Sequence, residues 1–370
     1  MKTQAMVMTG FHKPLELTEI EVPRLEDGQV LVRLAASGVC GSDVHIWHGE
    51  DKRVKLPLIP GHEGVGYIED IKGRHCSVDG QILHPGDLII WNRGISCGRC
   101  YACQVLKQPS LCQDRITYGI NNPCDRPPYL NGCYAHHIIL TADTDIIRLD
   151  DDTDPVTMVS ASCSGATIAH AFDMCRIKPG STVAVQGPGP LGLFAVAFAR
   201  ALGAGTIIVI GGTASRLDIC KKFGADIVLD RKSLSRNDRL DTIMQVTGGH
   251  GADIVIEAAG YPDAAQEGLD ILATGGTYLS TGFAQFTGYT QIDFFSQIVK
   301  KNAVIKGVWV SDTSHLYDAV HLILKNPSLF SNMVTHTMPL DNANQALELM
   351  ASKKALKVVL TNGEVYKNAE

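Results

Sequence analysis

Two kinds of apolar periodicity divide this chain of 370 residues. From Gln4 to about Leu149, short runs of alternating or β-branched apolar residues are interrupted every few positions by Gly, Pro or Asp. The runs at residues 5–8, 15–22, 30–36, 64–71, 87–91, 134–140 and 146–149 predict an antiparallel, barrel-like β domain. From about Ile177 the pattern changes. Predicted strands at 182–186, 206–210, 226–229, 253–257 and 277–281 alternate with helical stretches, among them 191–202 and 215–223. Such alternation builds a doubly wound parallel sheet, so the expected fold class is α/β with a separate β domain. After a run at 304–310 the elements become short and mixed, ending in residues 356–360, which are placed to rejoin the first domain. The expected domains are residues 1–160, then 161–308, then a return to the first over 309–370.

With 45% hydrophobic and 19% charged residues, the chain has apolar material for two ordinary globular cores. A net charge of -6 with no Lys/Arg run argues against nucleic-acid and membrane-surface partners, which require a positive field. Residues 1–14 lack the apolar stretch of a signal peptide, and no apolar run is long enough to span a bilayer. Cytoplasmic residence is the expectation. The 11 cysteines then read as reduced metal ligands and core thiols rather than a disulfide framework.

Three motifs carry candidate chemistry. Cys97, Cys100 and Cys103, followed by Cys112, have the spacing of a small tetrahedral zinc lobe, spanning about residues 94–115. Four thiolates leave no open coordination position, so that zinc is structural. Gly187-Pro188-Gly189-Pro190-Leu191-Gly192 follows a predicted strand and opens a helix, the context in which G-x-G-x-x-G binds a dinucleotide pyrophosphate. At the end of the next strand, Gly211 and Gly212 stand where an acid normally meets the ribose 2'-hydroxyl. Thr213, Ser215 and Arg216 follow and are suited to a 2'-phosphate, which leans the reading from NAD toward NADP; Arg216 is equally suited to stacking on either adenine. The third motif pairs Cys40-Gly41-Ser42-Asp43-Val44-His45 with Gly61-His62-Glu63, a mixture of soft and borderline ligands that suits zinc.

Taken together, these motifs, with Gly132-Cys133-Tyr134-Ala135 and the closing Ala355-Leu356-Lys357-Val358-Val359, resemble the zinc-containing medium-chain alcohol dehydrogenase family over essentially the whole chain. The resemblance implies a GroES-like catalytic domain joined to a Rossmann domain, two zinc ions per chain, and reversible hydride transfer between a small-molecule alcohol and NAD(P). It implies that Cys40, His62 and Cys163 ligate a catalytic zinc, with Glu63 as an adjoining acid that ligates transiently. Asp43 would orient His62, Ser42 and His45 would form a proton relay, and Lys357 would close over the coenzyme pyrophosphate. The remaining cysteines, Cys76, Cys124, Cys133, Cys175 and Cys220, match no ligand position. Relatives assemble as homodimers or homotetramers.

Arg93 departs from the family pattern, because relatives place an apolar pocket wall there. The preferred reading turns it outward to a surface ion pair; the alternative aims it into the cleft to grip an anionic or polyhydroxylated alcohol. Pocket loops are expected around Trp47, His48, Trp91, Tyr118 and Asp312. Two other readings are weighed: a polyol, sugar or threonine-type dehydrogenase of the same family, and a non-catalytic zinc-stabilised dinucleotide-binding protein. Sorbitol-type members supply Glu where this chain has Cys163, and the non-catalytic reading predicts a lost ligand.

Overall fold

In the computed structural model, which describes residues 1–362, strand Val30–Val39 is buried along its length except at Arg33. The reason is its company: it pairs antiparallel with Gly64–Ile71, His137–Leu140 and Val358–Thr361, so an almost uninterrupted apolar run is required. The sheet around it has seven strands. Their order is His336–Pro339, Val358–Thr361, Val30–Val39, Gly64–Ile71, Leu88–Trp91 and Ile146–Arg148, with His137–Leu140 as the branch. Every pairing is antiparallel except His336–Pro339 with Val358–Thr361. The first two predicted runs form a separate hairpin, Lys2–Val7 with Glu16–Glu21.

The second unit is a six-stranded parallel sheet in the order Ile227–Asp230, Thr206–Gly211, Thr182–Gln186, Ala252–Glu257, Leu272–Ser280 and Val304–Gly307. The order reverses at Thr182–Gln186, the switch point beside which open α/β sheets bind ligands. Helix Pro190–Ala201 leaves this strand and is buried from Gly192 to Ala199. The run predicted at 304–310 stops as a strand at Gly307; Val310 sits at φ 47, outside strand geometry, with its carbonyl 2.9 Å from His170 Nδ1.

The two units are Met1–Cys163 with the chain from Asp312 onward, and Ser164–Ser311. Both junctions fall three residues beyond the expected ones. Cys163 therefore belongs to the unit that holds Cys40 and His62. Residues 363–370 of the expected return lie outside the described residues.

Candidate functional site

Strand Val30–Val39 delivers Cys40 to the start of helix Gly41–Trp47, where the Asp43 carboxylate organises the surroundings. Its Oδ2 accepts from the Cys40 backbone N–H at 2.8 Å and from the Tyr134 hydroxyl at 3.0 Å; its Oδ1 lies 3.1 Å from His62 Nδ1. Burial opposes ionisation of this carboxyl, but His62, the Cys40 N–H and the Tyr134 hydroxyl outweigh it and hold Asp43 below the usual range. Burial likewise disfavours charge on His62, and Asp43 more than reverses that, so the imidazole is pushed up to about 9.

With Nδ1 committed to Asp43, His62 Nε2 is buried and has no hydrogen-bond partner among the described residues. Beside it the sulfurs of Cys40 and Cys163 lie 3.8 Å apart. Two thiolates bonded at about 2.3 Å to one tetrahedral ion have a separation of about 3.8 Å. One ligand atom each from Cys40, His62, Glu63 and Cys163 fall within 4.8 Å of one another. A zinc ion fits this donor set, and it supplies the positive charge that an orphaned imidazole nitrogen and two close sulfurs call for. Cys163 is held below the usual thiol range by the Cys40 hydrogen bond, against burial, with help from Arg93; Cys40 is raised well above it by the same hydrogen bond and by burial.

One expectation is corrected here, that of an outward Arg93, and Lys357 has a partner the sequence did not identify. Lys357 is 1% exposed, and its ammonium donates to Glu63 Oε2. The register decides this, since Val358 faces Val39 across the antiparallel pair and brings the preceding lysine opposite Cys40. Burial lowers the Lys357 pKa, but the Glu63 charge raises it further, so the ammonium is held above its usual range. Gly38 makes room for Glu63, because a Cβ there would lie 2.1 Å from Oε2. Arg93, read as an outward surface residue, is 6% exposed and donates from Nη1 to Cys163 Sγ at 2.9 Å.

Ser42 lies 3.8 Å from the Cys40 sulfur, and His45, one turn along the helix, is half-exposed with Nδ1 against Glu50 Oε2. Trp47 donates its indole N–H to Lys13 O at 2.7 Å and packs on His48, so its polar atom is committed away from the ligand cluster. Trp91 and Tyr118 are each 1% exposed core residues, not pocket walls. Asp312 faces Arg115 at 3.4 Å and caps helix Thr313–Lys325.

The second cluster gathers Cys97, Cys100, Cys103 and Cys112, whose sulfurs also lie within 4.8 Å of one another. Short helix Tyr101–Gln104 and the turn Pro109–Leu111 set the last three in place. The Cys103 backbone N–H, at the start of that helix, favours the Cys100 thiolate, whose pKa falls to about 6 despite some burial. Cys112, raised by burial to about 12, accepts from the Cys97 N–H at 3.3 Å.

In the second unit Gly187, at φ +108, turns the chain out of strand Thr182–Gln186, and Gly189 caps helix Pro190–Ala201 with Pro190 and Leu191 in its first turn. A Cβ on Gly192 would lie 1.8 Å from Gly187 O, so only glycine lets the helix approach this closely. Gly211 faces Asp230 across the parallel pair, and a Cβ on Gly212 would lie 2.8 Å from Arg231 Nε. Thr213 caps helix Ala214–Phe223, which carries a half-buried Arg216. Arg231 escaped the sequence reading. Its signal was a basic residue just past the third strand, whose end lies beside the second.

Comparison with known proteins agrees along the chain. Residues 26–151 match the alcohol dehydrogenase GroES-like domain, and residues 190–325 match the zinc-binding dehydrogenase domain. The chain is 32% identical to 5-exo-hydroxycamphor dehydrogenase of Pseudomonas putida, over 94% of this chain and 95% of that protein. It is 30% identical to L-threonine 3-dehydrogenase of Bacillus subtilis, over 93% and 94%. Among solved structures, an alcohol dehydrogenase of Thermotoga maritima is 46% identical with a TM-score of 0.96, covering 98% of this chain and all (100%) of that one. A zinc-binding dehydrogenase of Sinorhizobium meliloti bound to NADP is 25% identical with a TM-score of 0.85, over 98% and 99%. On the strength of these matches and of the metal-ligand set, the chain belongs to the zinc-containing medium-chain alcohol dehydrogenase family and is a zinc-dependent alcohol oxidoreductase.

Proposed function

We propose that this enzyme oxidises a primary or secondary alcohol reversibly at a zinc ion held by Cys40, His62 and Cys163, passing hydride to NADP, with a second zinc in the four-cysteine lobe. The observation that carries the reading is His62 Nε2, buried without a partner beside two sulfurs 3.8 Å apart. A zinc ion there supplies Lewis acidity, drawing charge from the alcohol oxygen and lowering its pKa. Asp43 keeps the His62 ring oriented through Nδ1. Ser42 takes up the hydroxyl proton and His45, oriented by Glu50, releases it to solvent. A bound nicotinamide coenzyme would accept hydride from the carbinol carbon, the balance being alcohol and NADP+ to carbonyl, NADPH and one proton. Glu63, tethered by Lys357, is the adjoining acid available as a transient ligand.

NADP is favoured because Gly211 and Gly212 offer no carboxylate at the ribose while Arg216 and Arg231 offer guanidinium groups to a 2'-phosphate. The NADP-bound relative supports the same lean. A second reading, a threonine-type dehydrogenase, is favoured by the Bacillus subtilis relative. Homodimers or homotetramers would cover the apolar edge at Val304 and Ile305, which are 42% and 46% exposed. Cytoplasmic residence accords with cysteines deployed as metal ligands and reduced thiols rather than as disulfides. The test joins metal analysis to a screen of alcohols, L-threonine included, with each coenzyme. Two zincs per chain and faster turnover with NADP are expected; one zinc, or a preference for NAD, sinks the corresponding part.

A further inference from the structure

Arg93 is the one cation at the metal cluster for which no carboxylate is provided among the described residues. Glu63 pairs through Oε2 with Lys357 and forms no ion pair with Arg93, Asp43 is taken by His62 and Tyr134, and Asp312 faces Arg115. Arg93 has a single hydrogen-bond partner, the Cys163 sulfur at 2.9 Å, although the residue is only 6% exposed. Among the described residues its Nε and Nη2 groups have no acceptor, yet neither is sealed from solvent. A second guanidinium stands close by: Arg115 lies against Gly94, where a Cβ would meet its Nε at 2.2 Å, and the Arg93 charge adds to burial in lowering the Arg115 pKa. The thiolate that Arg93 touches is itself a ligand whose charge a bound metal draws away. Two donor edges of a largely buried cation, whose third edge touches a sulfur of the ligand cluster, are thus left without an acceptor among the described residues. A guanidinium held by one edge, with two donors still open, is suited to receive an oxyanion.

We propose that Arg93 is a substrate-binding residue and that the physiological alcohol carries an anionic oxyacid group, carboxylate or phosphonate, one or two bonds from the carbinol carbon. The short reach follows from connectivity. Nη1 and the metal would share the Cys163 sulfur, so an alcohol oxygen at the metal and an anion on Nε and Nη2 belong to neighbouring atoms of one small molecule. A planar guanidinium meets such an oxyanion through two parallel hydrogen bonds, which a neutral diol does not offer. This inference rests on the dehydrogenase reading above.

The test uses the zinc-loaded full chain and Arg93→Gln and Arg93→Lys, with zinc content measured in each. Turnover of 3-hydroxybutyrate and 2-hydroxypropylphosphonate is compared with that of 1,3-butanediol, and binding of butyrate and propylphosphonate with that of butyramide by calorimetry. The wild type should favour one anionic alcohol over the diol, and Arg93→Gln should lower that ratio by about tenfold or more, the effect of losing a charge-assisted pair. Arg93→Lys should retain more of the preference, and the acid that binds better identifies the oxyanion. Equal binding of butyrate, propylphosphonate and butyramide to the wild type, or a selectivity ratio unmoved in Arg93→Gln, overturns the proposal. If no alcohol turns over with either coenzyme, the dehydrogenase reading fails, and the calorimetry still decides whether Arg93 receives an anion.

Discussion

Asp43 touches three groups at once, the Cys40 N–H, the His62 ring and the Tyr134 hydroxyl, and so ties two of the three proposed metal ligands to one carboxylate. Its charge fixes the proton on His62 Nδ1 and leaves Nε2 free for the metal, a part that an amide fills less well because it lacks the charge. Asp43→Asn should therefore weaken zinc binding by about 10- to 100-fold, read by chelator competition, with the lobe zinc unaffected. An unaltered affinity would remove Asp43 from the positioning role. Lys357 shows where single residues mislead. Within the apolar run 355–360 it is the lone charge, which announces a buried counterion; only the strand register identifies that counterion as Glu63.

At the scale of elements, the turn from strand Thr182–Gln186 into helix Pro190–Ala201 separates folding from binding. A methyl group at position 192 would press on Gly187 O at 1.8 Å, whereas a Cβ at position 189 meets nothing within 4 Å. Gly192→Ala should lose about 2 kcal/mol of stability in denaturant titration, as overpacking does, together with coenzyme affinity. Gly189→Ala should unfold at the wild-type midpoint and lose affinity for NADPH, followed by its fluorescence, because its added methyl would face the pyrophosphate. Equal stability in the two variants contradicts this assignment of the glycines. The strands themselves were largely legible because their periodicity is local. The end of the run at 304–310 was not, since the backbone at Val310 follows from contacts and not from propensity.

On the scale of the molecule, strand Val304–Gly307 is an unpaired edge of the parallel sheet, and Phe294, Phe295 and Val299 are 69%, 70% and 63% exposed. Open sheet edges and apolar patches of this kind are ordinarily covered by another chain. Ile305→Lys should shift the protein toward monomer in light scattering coupled to size exclusion; a wild type that is already monomeric defeats the prediction.

What the amino-acid order determined alone is whatever depends on spacing: two domains, the glycine turn between strand and helix, four lobe cysteines, and candidate ligand types grouped at Cys40 and His62. Those signals survive in one dimension because a turn of helix, a pleat or a tetrahedral lobe demands fixed intervals. Tertiary structure alone decided the partners of charged groups. Lys357 meets Glu63, Arg93 meets Cys163 and Arg231 lies over Gly212, each through residues far apart in the chain. Burial makes such pairings obligatory, because an enclosed charge needs a counterpart, but it does not say which one. That choice belongs to strand register and packing.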